Sequence, residues 1–242
     1  LIIESTCPLG TTEKVAESIK KVTGLTNSDI YLAYCPERVI PGKTLQELIN
    51  NDRVIGGITK EASEKVKDFY QSFCKGKLMI TDSNTSELVK LTENSFRDVN
   101  IAFANEISMF CESVGVNTQN LIKLANQHPR VNILNPGCGV GGHCIAVDPW
   151  FMVHQSPKLT PLIKVARQVN DYKCLWVVDK IKREVKEFEK HLKRKPRIGC
   201  LGLSFKPDVD DLRGSPALYI TNNLIKEGFK VFVCEPNLDS YQ

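Results

Sequence analysis

The stretch NPGCGVGGHCIAVDPW, residues 135 to 150, sets a histidine and a cysteine side by side behind four glycines. Three chemistries are open to it: metal ligation, a redox pair, or a nucleophile carried on a loop. Cys138, His143 and Cys144 offer three ligands, but no fourth is evident and the spacing matches no zinc finger, so no metal is expected. The nine cysteines, at 7, 35, 74, 111, 138, 144, 174, 200 and 234, include no C-x-x-C pair. An odd, scattered set reads as free thiols, mostly packed as small hydrophobes, in a reducing cytoplasmic compartment. On the residues alone Cys144 is either a packed thiol or a nucleophile. As a nucleophile it must react as thiolate, a form that Lys90 or the loop amides would favour. Gly137, Gly139, Gly141 and Gly142 carry no β-carbon and would let those amides approach a ligand. Adjacent side chains commonly point apart, so His143 reads as a loop or substrate contact before a catalytic base. A thiol hydrolase using both residues is the competing reading; it would turn over without a nicotinamide cofactor.

A second chemical set lies on a helix. The region from Asn84 to about Gly115 is helical in pattern, with Asn84 and Glu87 spaced as a capping box. Lys90, Asn94, Arg97, Ile101 and Asn105 recur at spacings of four, three, four and four and share one face. Leu88, Leu91, Phe96, Val99, Phe103 and Ile107 are left for packing. Lys90 and Asn94, one turn apart, can present a cation and an amide to one oxyanion.

The elements around these sets follow from periodicity. LIIEST, DIYLAYCPERVIPG, RVIGGI and GKLMIT read as strands, with helices at CPLGTTEKVAESIKKV and EASEKVKDFYQSFC. Such alternation predicts a parallel sheet with ligands gathered beyond the carboxyl ends of its strands, where Thr6 and Glu37 fall. NTQNLIKLANQHP reads as a further helix. Thr160 as N-cap and Pro161 open the long segment PLIKVARQVNDYKCLWVVDKIKREVKEFEKHLK, a spine ending at the basic boundary KHLKRKP. RIGCLGLSF, the helix ALYITNNLIKE and FKVFVCEP form one β-α-β unit, its helix capped by Ser215 and stopped by Gly228. The alternation makes the fold class α/β. No G-x-G-x-x-G precedes the first strand and only one β-α-β unit closes the chain, so both outer domains read as incomplete.

With 242 residues, 42% of them hydrophobic, the chain can bury a substantial core. Its 32 basic and 28 acidic residues leave a net +4. That balance suits an anionic metabolite and is too weak to argue for nucleic acid, so no nucleic-acid partner is expected. No segment has the pattern of a signal peptide or a membrane span, so no membrane partner is expected.

Taken in order, CPERVIPG, SELVKLTENSFRDVNIAFANE, HPRVNILNPGCGVGGHCIAVDPWF and GLSFKPDVDDLRGSP span nearly the whole chain. They resemble the motifs of the nucleotide-sugar 6-dehydrogenases, the UDP-glucose/GDP-mannose dehydrogenase family. The resemblance implies two Rossmann-like domains joined by a helical central domain with a long spine helix, with boundaries at 1–80, 81–193 and 194–242. It implies NAD as cofactor, used twice to take a primary alcohol at sugar C6 to a carboxylate through a thiohemiacetal and a thioester on Cys144. It gives Lys90 and Asn94 oxyanion or proton-handling roles, and Asp148, Glu37 and Thr6 proton transfer and water positioning. Ser5, Thr6 and Arg213 would meet the cofactor. Glu37, Arg38, Lys90, Asn94, Arg97, Asn132, His143 and Lys206 would meet substrate, with Leu134 to Gly139 as a clasp. Arg130 would reach a neighbour's substrate across a homodimer or higher homo-oligomer. Pro41, His143 and Val147 stand where UDP-glucose enzymes usually have glutamate, serine and lysine. Those departures, with Arg97, point to a UDP-N-acetylhexosamine, its C2 configuration open between manno and gluco. A non-catalytic sugar-nucleotide-binding or dimerisation fragment is the alternative of a different class.

Overall fold

The N-terminal apolar run forms β1 (Ile2–Ile3), and the turn after it leads into α1 (Thr11–Thr23). Next come β2 (Ala33–Tyr34), α2 (Thr44–Asn50), β3 (Arg53–Gly57), α3 (Lys60–Gln71) and β4 (Leu78–Asp82). These belong to a computed structural model that describes residues 1–40 and 42–238; Pro41, one of the departures noted above, lies outside the described residues. α4 (Ser83–Ser113) follows, then α5 (Thr118–Ala125), α6 (Asp148–Gln155) and the spine α7 (Pro161–Leu192). β5 (Ile198–Leu201), α8 (Pro216–Lys226) and β6 (Val231–Cys234) complete the order. Two compact units divide within α4, the first being Leu1–Glu93 and the second running from Asn94.

In the first unit the sheet order is β1-β2-β3-β4. β1 pairs with β2, and β3 with β4, in parallel, but β2 and β3 are antiparallel, with Tyr34 opposite Gly56. The all-parallel expectation is therefore corrected to a mixed sheet. The physical reason is the connection: the link through α2, a helix the periodicity did not reveal, delivers β3 in the reverse direction, as an antiparallel neighbour allows. Ala33, Cys35, Ile55, Val66, Tyr70 and Cys74 form this unit's core, with Ile2 and Leu78 packed on it. A β-carbon at Gly56 would lie 2.6 Å from that of Ser86, so glycine and serine let α4 press against β3.

The expected capping box at Asn84 is also corrected. α4 starts one residue earlier, and Asp82 Oδ1 accepts the Thr85 amide at 2.8 Å, the usual service of an N-cap. Glu87 is fully buried and caps a different helix. Its Oε2 accepts the Gly10 amide at 2.5 Å, and its Oε1 accepts the Thr12 amide at 2.7 Å and the Thr12 hydroxyl at 2.6 Å. Gly10 sits at the N-cap of α1 and has no side chain to do this. Replacing Glu87 with alanine strands two amides in a dry interior and is expected to cost about 2–4 kcal/mol. Amide hydrogen exchange checks it: protection at Gly10 and Thr12 should fall at least roughly tenfold, and unchanged protection would reject the cap.

The second unit is built on α7, whose predicted length the structure reproduces. Thr160 occupies its N-cap position but makes no cap bond, its hydroxyl donating instead to the Ser156 carbonyl at 2.9 Å. β5 and β6 pair in parallel across α8, as one β-α-β unit requires. Ser215 caps α8 through the Leu218 amide at 3.3 Å. Cys174, Val178, Ile220 and Leu224 form the core between α7 and α8. Phe96 and Phe103, expected to pack, are instead 68% and 52% exposed, and Phe110 continues their line at 63%. Among the described residues no helix is long and apolar enough to cross a membrane.

Candidate active site

The candidate residues fall in both units, and each set is described within its own. In the first, β1 and β2 run side by side in the same direction, so Ser5 and Thr6 beyond one and Glu37 beyond the other emerge at the same edge. The Glu37 amide donates to the Glu4 carbonyl at 3.2 Å, joining the two exits. Glu37 Oε1 accepts the amides of Arg38 and Val39 at 2.6 and 2.9 Å, which anchors that oxygen. Lys90 Nζ donates to the Glu37 carbonyl at 2.9 Å. Arg38 is paired with Glu93 at 2.5 Å. Sequence reasoning missed Glu4 and Tyr70: the buried Tyr70 hydroxyl donates to Glu4 Oε1 at 2.5 Å. Burial and that carboxylate push the phenol up, so it stays a donor.

In the second unit Asp148 opens α6 and is nearly fully buried, as is Asn94, whose Nδ2 donates to Asp148 Oδ2 at 2.5 Å. α6 has Pro149 in its first turn, where a missing N–H costs nothing. The Cys144 carbonyl accepts the amides of Val147 at 3.0 Å and Asp148 at 2.8 Å, so the turn that carries the thiol is locked to the helix start. Cys144 is half-buried and His143 exposed. The Arg213 guanidinium has the Cys144 thiol among its electrostatic neighbours, and Asp211 has His143. Asp211, a residue the motif reading passed over, holds Arg213 with a two-oxygen grip at 2.7 to 3.1 Å. Arg213 in turn brings the Asp211 carboxyl down to about 2.

The glycines work differently from the expectation. A β-carbon at Gly139 would lie 2.5 Å from Cys174 Sγ, at Gly141 2.6 Å from the Gly214 carbonyl oxygen, and at Gly142 2.9 Å from the Phe205 ring. Their small size admits the protein's own α7, α8 entry and Phe205; Gly137 alone of the four is open. The Gly137 amide is held by Asn105 Oδ1 at 2.8 Å. Lys206 follows Phe205 and is half-buried, its ammonium 5.7 Å from that ring. Asn126 clasps the 127–132 loop by both ends of its amide on Ile133, at 3.0 and 2.7 Å. Arg130 and Asn132 stand exposed on that loop, and Leu134 just past it. Of the face predicted on α4, Asn94 and Asn105 are buried and Arg97 is exposed.

Four of the other thiols are poor nucleophiles. Burial raises Cys7, Cys35 and Cys138 above the ordinary thiol range and Cys174 to about 11. Among the described residues no group of three or more His, Cys, Asp and Glu could hold a metal. Ser5 and Thr6 carry hydroxyl donors at the strand end of the first unit, and the second unit has the exposed Arg213 guanidinium.

Three models of one family match the chain in order. They are the NAD binding, central and UDP binding domains of the UDP-glucose/GDP-mannose dehydrogenase family, over residues 1–74, 84–172 and 199–242. A UDP-N-acetyl-D-mannosamine dehydrogenase of Campylobacter jejuni is 51% identical over 98% of this chain and 60% of its own. An NDP-N-acetyl-D-galactosaminuronic acid dehydrogenase of Ralstonia nicotianae is 49% identical over 98% and 57%. The solved UDP-D-ManNAc dehydrogenase of Pyrococcus horikoshii superposes with a TM-score of 0.90 at 41% identity, over 99% of this chain and 58% of that one. The chain thus spans about 60% of the length of the curated relatives it matches.

Proposed function

Because the chain belongs to the UDP-glucose/GDP-mannose dehydrogenase family, three of whose domain models it matches in sequence, we propose that it carries the reactive thiol of an NAD-dependent nucleotide-sugar 6-dehydrogenase. The proposed substrate is UDP-N-acetyl-D-mannosamine and the product its uronate, a reading supported by relatives of about 50% identity that bear that name. The observation that carries the chemistry is Cys144 on a turn locked to the Asn94–Asp148 pair.

Two NAD molecules, bound in turn, would each accept one hydride. Cys144 adds its sulfur to the aldehyde carbon, giving a thiohemiacetal, and after the second oxidation the carbon is held as a thioester. Water then bonds to that carbon, the C–S bond breaks and the thiolate departs. Lys90 and Asn94 stabilise the oxyanions of these stages. Asp148 and Glu37 direct the water and take protons, directly or through an intervening water, with Thr6 positioning it. Either Lys90 or a water on Asp148 removes the first alcohol proton. Ser5, Thr6 and Arg213 hold the cofactor. Arg38, Arg97, Asn132, Leu134, Gly139, His143 and Lys206 shape the substrate site, and Arg130 serves the neighbouring protomer. The domain limits 1–80, 81–193 and 194–242 follow this division of labour, with the free thiols in a cytoplasmic setting.

The test uses the full-length protein, with reduced cofactor counted per sugar and the manno, gluco and galacto epimers compared at equal concentration. Two reduced cofactors per uronate and fastest turnover of the manno substrate are expected. One per sugar, with aldehyde released, would overturn the mechanism. The galacto epimer is included because the Ralstonia relative is nearly as similar as the manno-named ones.

Phe96, Phe103 and Phe110 recur every seven residues on α4, each more than half exposed. A second copy of the same helix is the occupant proposed for this line, since a two-fold pairing would let the rings cover one another. Aromatic rings of this kind each bury roughly 150–250 Å². Phe103→Glu is expected to turn the dimer into monomer by light scattering, and an unchanged mass would refute the interface.

A further inference from the structure

The antiparallel register of β2 and β3 has Tyr34 opposite Gly56, and three residues further it sets Glu37 opposite Arg53. The side chains meet there: Arg53 Nη1 lies 3.9 Å from Glu37 Oε2. Arg53 is almost wholly buried. Its Nη2 donates to the Leu48 carbonyl at 3.2 Å, its guanidinium lies 4.4 Å from the Tyr70 ring centroid, and the Cys35 sulfur accepts from it. Its Nε has no hydrogen-bond partner among the described residues. Burying a guanidinium costs several kcal/mol unless its charge is matched. An arginine kept there with a donor unspent is explained by the carboxylate it faces, and that carboxylate is Glu37.

We propose that Arg53 is a positioning residue that acts through Glu37, setting the direction of Oε2 and hence of the water that Glu37 directs in the hydrolysis. The proposal rests on the role given to Glu37 above. Oε1 is already held by two backbone amides, so Oε2 is the oxygen left to face a water. The other charges around this edge are engaged elsewhere. Lys90 from α4 is bound to the Glu37 carbonyl, Arg38 is paired with Glu93, and Glu4 beyond β1 is held by Tyr70 from α3. Arg53 is therefore the cation assigned to Oε2. A misplacement on the scale of 1 Å in a reacting group costs up to roughly 100-fold in rate.

Arg53→Met, Arg53→Lys and Glu37→Gln in the full-length enzyme test this, each followed through a single turnover and into the steady state. Loss of positioning spares the two oxidations and slows hydrolysis. Arg53→Met should still reduce two cofactors per site within about threefold of the parental rate, then release uronate roughly 30- to 100-fold more slowly. Acyl-enzyme on Cys144 should accumulate and appear in the mass of the quenched protein. Arg53→Lys should recover part of the loss. Uniform slowing of every step by Arg53→Met without acyl-enzyme, while Glu37→Gln accumulates it, would make Arg53 merely structural and overturn the proposal alone. No acyl-enzyme in Glu37→Gln would remove the reading of Glu37 and this proposal with it. Should Arg53→Met not fold, Arg53→Lys decides by the same measurement: accumulation supports the role, and its absence overturns it.

Discussion

Cys144→Ser in the full-length protein is expected to lower uronate formation on the order of 10³-fold or more, since the nucleophile that carries the acyl group is removed. A serine hydroxyl is far less ionised at neutral pH than a thiol, and the adjacent His143 is exposed, with Asp211 among its electrostatic neighbours. The substitution leaves the local fold intact because the turn is made by the Cys144 carbonyl, which accepts Val147 and Asp148 whatever the side chain. Mass spectrometry of quenched mixtures should find acyl-enzyme in the parent and none in the variant. Undiminished uronate output from the serine variant would remove the covalent route. The buried thiols cannot take over, because burial keeps Cys138 and Cys174 protonated.

Periodicity made the spine helix, the closing β-α-β unit and the long helix after residue 82 legible, because each is a local pattern longer than three turns or capped by a recognisable residue. What it could not reach were partners distant in sequence. Glu87 sits where a capping box would use it, yet it caps a helix 75 residues upstream, which no local rule can encode. The glycines near Cys144 satisfied the pattern of a ligand-binding turn, and three of them are instead explained by Cys174, Gly214 and Phe205 packing against them. Phe96 and Phe103 looked like core from composition alone, although exposure depends on what else covers the helix. The antiparallel β2–β3 pairing was invisible for the same reason, and with it the meeting of Arg53 and Glu37. The candidate reactive residues were read from their motifs, whereas neighbours such as Arg53 beside Glu37 carry no local signature.

The largest stability effect is expected at Arg167, which is buried on α7 with Asp98 of α4. Its Nη1 donates to Asp98 Oδ1 at 2.6 Å and its Nη2 to Asp171 Oδ1 at 2.5 Å. Asn170 also donates to Asp98 Oδ1, at 2.8 Å, and accepts from Asn105, which holds the Gly137 amide of the loop that leads to Cys144. Removing one member of a buried ion pair leaves the other uncompensated, so Arg167→Met should cost about 3–5 kcal/mol. Replacing both, as Asp98→Leu with Arg167→Met, should recover most of that loss, because no lone charge remains. Urea unfolding followed by the fluorescence of Trp150 and Trp176, both in this unit, measures it. The pH dependence has a definite sign. Burial already pushes the Asp98 carboxyl up against the pull of Arg167, and without the cation it rises further. A carboxyl raised on folding favours the folded state while it is protonated and opposes it once ionised. The Arg167→Met deficit should therefore grow as pH climbs through the carboxylate range, whereas the double variant should show no such growth. A deficit below about 1 kcal/mol at neutral pH would mean that the pair is solvated and does not hold the Cys144 loop in place.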